Sequence, residues 1–209
     1  MVLPSCLFDP SFPLVLDASV VINLNATGCA AQILTALPNR IVVTDMVADE
    51  LDAGRAKGRT DADQLALLVG SSQIERVALS SIEEGHFLDL VAGPGISTLD
   101  DGEAATVAWA VAHGGIPIID DKKGIAICRT KFSNMMVGST IDVFLHNRVR
   151  DELGNTQLAQ ALYLALSVAR MRVPDDRLTW VVGIIGQSRA ATCNSLPERA
   201  RNGSLATLV

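Results

Sequence analysis

The stretch "PLVLDASVVINL" (residues 13–24) sets an aspartate directly after three apolar residues and directly before a second apolar run. Leu14, Val15 and Leu16 form the short aliphatic run of a buried strand, and the residues from Ser19 onward read as a helix. A carboxylate at that junction is costly unless it caps the helix, reaches solvent or meets positive charge. What Asp17 meets there depends on the rest of the chain.

Three more short apolar runs, at 41–43, 74–79 and 116–119, read as buried strands bounded by Asp, Pro or Gly. Helix-like stretches near 19–37, 46–54, 60–71, 81–91 and 101–113 separate them. Strand and helix in alternation favour an α/β fold, with a mainly parallel central sheet covered by helices on both faces. "VGST" (137–140) reads as one further strand, followed by a helix over 141–148, while Gly114-Gly115 and Pro117 punctuate the chain before the last long run. Beyond this the texture changes. "QLAQALYLALSVARM" (157–171) is apolar on most sides of a helix, and Pro174-Asp175-Asp176 introduces another in "RLTWVVGIIG" (177–186). The expected organisation is a main domain over 13–146, a helical extension over 147–187 and a flexible tail over 188–209. Helices this apolar must lie under the main domain or against a second chain, and the second is favoured.

Composition narrows the function. The chain has 209 residues, 49% of them hydrophobic, enough to bury a full core, and a net charge of -6 that argues against a generally basic nucleic-acid binder. Any hold on nucleic acid must be local. Cys6, Cys29, Cys128 and Cys193 form no C-x-x-C pair and read as free thiols of a reducing compartment. Pro4, Asp9, Pro10 and Pro13 interrupt the start of the chain, and the uncharged runs at 18–39 and 153–169 carry Asn, Gln, Thr and Gly. A cytoplasmic protein without membrane partners is expected.

The acids can now be placed. Asp17 follows the first strand, Glu50 lies in "MVADEL" after the second, Asp100, Asp101 and Glu103 open "LDDGEAATVAWA", and Asp120 and Asp121 end "IPIIDD". In a parallel sheet, strand ends and the starts of the following helices share one edge. Carboxylates converging there repel one another and raise each other's pKa unless divalent cations supply the missing charge, and Mg²⁺ or Mn²⁺ suits oxygen ligands best. Each acid also has a local alternative. Asp17 can cap a helix, Asp100 and Glu103 have capping-box spacing, Glu50 can be a solvated helix residue, and Asp120-Asp121-Lys122-Lys123 can be a polar turn. Those alternatives do not explain why acids recur at the same end of successive apolar strands.

"LVLDASVVINL", the glutamate of "VTDMVADEL", "LDDGEAATVAWA" and "PIIDDKKGIAICR" together resemble the PIN-domain nucleases over residues 13–146. The likeness is to the subset with a GEA helix and an IDDKKGR-like motif, often found as toxins of toxin–antitoxin pairs. The resemblance implies a three-layer α/β/α sandwich and cleavage of RNA by a Mg²⁺- or Mn²⁺-bound acidic cluster, whereas the C-terminal helical extension exceeds the minimal domain. It places the four acids at Asp17, Glu50, Glu103 and Asp121, with Asp101 and Asp120 as neighbouring or alternative ligands and Ser19 as the small hydroxyl residue beside the first. It also implies products with 5′-phosphate and 3′-hydroxyl ends.

RNA would be held by Arg55, Lys57 and Arg59 after the second motif and by Lys122, Lys123, Arg129 and Lys131 after the fourth. Ile125 stands where many relatives carry a basic residue, with Arg129 the next available. His86, His113 and His146 are not required as bases and are expected to face solvent or finish helices. RNA, an antitoxin protein and a second copy of the chain in a homodimer are the implied partners. The main rival is a PIN-like protein-interaction module with little or no nuclease activity. A receiver-like phosphoacceptor would carry its acidic pair at the first strand and a lone lysine at the last, the reverse of the order here. An RNase H-type nuclease would begin with hairpins.

Overall fold

The structure, a computed structural model, describes residue 7 and residues 9–92, 94–95 and 98–205. The chain begins β1 (Leu14–Leu16), α1 (Ala18–Ala26), α2 (Ala30–Ala36), β2 (Ile41–Thr44) and α3 (Asp45–Ala53). A 3₁₀ turn (Gly54–Lys57), α4 (Asp61–Gly70), β3 (Glu75–Val77), α5 (Ser81–Val91) and α6 (Asp101–His113) follow. Next come β4 (Ile116–Ile118), α7 (Lys122–Lys131), α8 (Thr140–Leu145) and α9 (Asn147–Ser167). A second 3₁₀ turn (Asp175–Arg177) leads to α10 (Leu178–Ile185), α11 (Gln187–Ala190) and α12 (Glu198–Arg201). The described residues fall into two compact units, one of residues 7–21 and 38–139 and the other of residues 22–37 and 140–205. This differs from the expected division at 146 and 187, because residues 22–37 group with the C-terminal helices.

The first unit holds a four-stranded, wholly parallel sheet in the order β3-β2-β1-β4. Leu14, Val15 and Leu16 of β1 pair with Ile116, Pro117 and Ile118 of β4, and Leu14 and Val15 also face Ile41 and Val42 of β2. β1, β2 and β4 are buried throughout, as expected of central strands. β3 is not. It is the sheet edge, with Glu75 and Arg76 exposed, where a fully buried strand is expected from the apolar residues around it. Its charges are paired across the edge: Arg40 forks onto Glu75 with two contacts of 2.7 Å, and Arg76 reaches Asp45 and Asp49. Such charges discourage pairing with another edge. The expected strand at 137–140 is a single parallel bridge between Gly138 and Ile118.

Strand order decides where a site can form. The chain adds β2 and β3 on one side of β1, then crosses to place β4 on the other. A crevice opens at such a switch point, beyond the carboxyl ends of the strands. β1 and β4 deliver Asp17 and Asp120-Asp121 there.

α6 anchors this unit. Its residues from Gly102 to Ala110 are all buried, and its many small side chains permit close approach on several sides. Trp109 and Ala110 pack with Val15 and Val42, whereas Ala104, Val107 and Ala108 join Leu90, Ile119, Ile127 and Cys128. At its far end His113 stacks on Trp109 (4.1 Å between ring centres) and meets Glu83 at 2.5 Å. Glu83 is buried and completes a capping box with Ser80, whose hydroxyl, with help from His113, holds its pKa down at about 2. His113 thus finishes its helix, as expected, and is paired there, while His146 directly follows α8 and is buried.

In the second unit the helix expected over 19–37 is broken. Thr27 donates its hydroxyl to the Leu24 carbonyl, and Gly28 adopts φ +72, which ends α1 and starts α2. α9 is bent at Gly154, whose φ of 62 and ψ of 172 lie outside the helical range. Beyond the bend Leu158, Ala161, Leu162, Ala165 and Leu166 are buried, and α9 packs on α2, α8 and α10. The apolar sides of this helix are therefore covered within its own unit. Residues 188–205, expected as part of a flexible tail, form short helical turns in which Ala190, Cys193, Leu196 and Ala200 are buried. Their apolar spacing is too sparse to stand out in the sequence. Cys29, Cys128 and Cys193 are free thiols, and Cys6 lies outside the described residues. Among the described residues no single helix is long and apolar enough to cross a membrane, and the one apolar pair, α1 and α2, is bent by 113°.

Candidate active site

Asp17 sits one residue beyond β1 and is buried. Ser19 donates its N–H (3.1 Å) and its hydroxyl (2.6 Å) to Asp17 Oδ2, so the hydroxyl expected beside the first acid orients it. Glu103, on the first turn of α6, is also buried. Two more acids begin helices. Asp100 caps α6 through Oδ1, which accepts from the Glu103 N–H at 2.9 Å. Asp121 caps α7 through Oδ2, which accepts from Lys123 N–H (2.7 Å) and Gly124 N–H (3.1 Å). Each cap satisfies helix donors through one carboxylate oxygen. Glu50 comes from the solvent side of α3, and its carboxylate rests over Gly102 at the start of α6.

These five carboxylates act on one another. Burial raises the Asp17 pKa, with a smaller push from Asp100, against the hydrogen bonds of Ser19. Glu50 rises to about 7 through shielding of its carboxylate and then repulsion by Asp17 and Asp100, although much of the residue's surface is exposed. Glu103 rises to about 8 through burial and then the charges of Asp100, Asp17 and Asp121. Arg59 offsets part of the rise at Glu50, and Lys123 part of the rise at Glu103. Cys128 lies beneath, its thiol pushed to about 12 by burial and then by Glu103, and is inert.

Of the four acids expected, Asp17 lies within electrostatic reach of Glu50 and Glu103, and Asp121 within reach of Glu103. Asp100, placed at the same edge with helix capping as its local alternative, acts on Asp17, Glu50 and Glu103. Asp101 is exposed on the outer first turn of α6, and Asp120 is buried beside Asp121. Among the cations expected to hold RNA, Arg59 and Lys123 act on the acids. Arg55 is instead engaged with Asp52 (3.2 Å) and Asp63 (2.8 Å), and Lys131 with the Asp89 carbonyl. Lys57, Lys122 and Arg129 are exposed. The signal that could have found Asp100 is its place: a capping carboxylate at the carboxyl edge of a parallel sheet faces the crevice because the helix it caps starts there.

Among the described residues no three His, Cys, Asp or Glu groups are close enough to enclose an ion. The donor set nevertheless fits a hard divalent cation, being all oxygen and held in mutual repulsion that positive charge would relieve. A stability test follows. Both glutamates have folded pKa values above the usual 4.5, at about 7 and about 8, so the folded state binds extra protons between these limits. Their stabilising contribution is complete below pH 4.5 and is lost as pH rises through about 8. In chelator, the melting temperature is expected to fall over that range, less steeply for Glu103→Gln, and Mn²⁺ is expected to flatten the slope. Identical slopes for wild type and Glu103→Gln, measured by scanning fluorimetry, would refute the coupling.

No curated protein and no solved structure matches the chain. The PIN-domain family model matches residues 13–184, which contain the whole sheet and all five interacting acids. With an all-parallel α/β/α core and its acids at the sheet's carboxyl edge, the chain belongs to the PIN-domain family, whose members are generally nucleases that use divalent metals.

Proposed function

We propose that this protein is a metal-dependent endoribonuclease that hydrolyses RNA phosphodiester bonds, with Asp17, Glu50, Glu103 and Asp121, joined by Asp100, holding Mg²⁺ or Mn²⁺. The observation that carries this reading is the mutual action of five carboxylates from four segments at the switch point of a parallel sheet. When bound, the ion supplies positive charge and Lewis acidity. The chain's own residues prepare the place. Ser19 fixes the rotamer of Asp17, and the first turns of α6 and α7 fix Asp100 and Asp121. Buried Asp17 and Glu103 form the floor, while Glu50 and Asp100 stand at the solvent side where a polymer can enter. Arg59 and Lys123, next to the acids, offer fixed positive charge to the phosphates of an RNA strand, a local attraction consistent with the acidic net charge. In the cell the reading extends to the toxin of a toxin–antitoxin pair, with an antitoxin protein and a second copy of the chain as partners. Resemblance supports that extension.

The test is incubation of purified protein with a panel of end-labelled RNAs in Mg²⁺, Mn²⁺ and chelator. Internal cleavage that leaves 5′-phosphates, seen with either metal and absent in chelator, is the expected result. No cleavage of any RNA under any condition would favour the interaction module.

A further inference from the structure

Two glycines in α6 and α7 occupy buried positions on the first turn, where glycine weakens a helix. Neither is among the glycines of positive φ, so backbone freedom does not explain them. Space does. A Cβ on Gly102 would stand 2.5 Å from Glu50 Oε2 and 3.8 Å from its Cδ, with Asp100 Oδ1 at 3.9 Å. A Cβ on Gly124 would stand 3.1 Å from Glu103 Oε1, 3.3 Å from its Cδ and 3.2 Å from Ile119 Cγ2. Gly70, Gly85 and Gly183, also helical, have nothing within 4 Å of such an atom.

The two helix starts follow one plan. Each opens with a capping aspartate, Asp100 or Asp121, and two or three residues later presents a bare Cα against which a glutamate from another element lies. We propose that Gly102 and Gly124 are positioning residues, seats that hold the carboxylates of Glu50 and Glu103 at the acidic site. The seat at Gly102 matters more, because Glu50 comes from the solvent side of α3 and is otherwise free to swing into water. The consequence for catalysis rests on the ribonuclease reading above, whereas the seating itself does not.

A methyl group at residue 102 collides with the far end of a flexible side chain, so Glu50 should yield and the fold should persist. Gly102→Ala is expected to weaken Mn²⁺ binding, measured by calorimetry, and RNA cleavage by roughly 10- to 100-fold, the loss usual when the support of a ligand is removed. Gly124→Ala should act in the same direction and more mildly, and Gly85→Ala should match wild type. Glu50→Asp, shorter by one methylene, should recover part of the Mn²⁺ affinity in the Gly102→Ala background while lowering it in wild type. Crystal structures of wild type and Gly102→Ala supply the readout independent of activity, with the Glu50 carboxylate displaced in the variant. An unmoved Glu50, wild-type Mn²⁺ affinity in Gly102→Ala, or aggregation of Gly102→Ala beside a folded Gly85→Ala would overturn the proposal. If wild type neither binds Mn²⁺ nor cleaves RNA while Glu50 still moves in the variant, the seat stands and the ribonuclease reading falls.

Discussion

Asp17→Asn is expected to cut RNA cleavage in Mg²⁺ or Mn²⁺ by at least ~100-fold while the protein stays folded. Asparagine keeps the shape and can still accept from Ser19, whose N–H and hydroxyl meet Asp17 Oδ2, so the turn from β1 into α1 survives. What is lost is one buried charge. That charge raises the pKa of both Glu50 and Glu103, so its removal relieves repulsion, and in chelator the variant should melt at or above the wild-type temperature. The capping alternative predicts something else, because asparagine caps a helix about as well as aspartate does and the change would then be silent in both assays. Cleavage at the wild-type level would sink the metal-site argument. Lost cleavage accompanied by a large drop in melting temperature would assign Asp17 to folding.

The parallel sheet and the edge that carries the acids were legible because each central strand is a short, unbroken apolar run followed at once by Asp or Thr. That pattern is local, and it fixes both the strand and the side on which it ends. In sequence β3 reads as buried, because Ile74, Val77 and Leu79 look like a core strand. Its edge position follows from strand order, which only the whole topology decides. The break at Gly28 and the bend at Gly154 were hidden for a related reason, since an isolated glycine in an apolar helical pattern does not announce its φ. The C-terminal turns depend on scattered residues such as Cys193 and Leu196, whose burial comes from contacts distant in sequence. In the site, capping and ligation read as alternatives for Asp100 in the sequence, yet a carboxylate has two oxygens and can do both. Asp121 shows the same double use, since its cap on α7 leaves its charge acting on Glu103.

That double use gives the second expected result, a ranking among three acids at the start of α6. Glu103→Gln should lower cleavage by at least ~100-fold, because Glu103 is buried, stands against Gly124 and feels Asp100, Asp17 and Asp121 together. Asp101→Asn should change it by no more than about 3-fold, the scale of an exposed charge that solvent and salt screen. Asp100→Asn separates cap from charge. Asparagine retains the cap on the Glu103 N–H, so α6 should keep its stability, while the lost charge should lower Mn²⁺ affinity by about 10-fold or more. Calorimetric Mn²⁺ titration, cleavage rates and melting temperatures of the three variants, measured side by side, test the ranking. If Asp101→Asn proves the most damaging, the ligand at this helix is the outer aspartate. Should Asp100→Asn lose stability but keep Mn²⁺ affinity, Asp100 is a cap alone, and the metal is held by Asp17, Glu50, Glu103 and Asp121 without it.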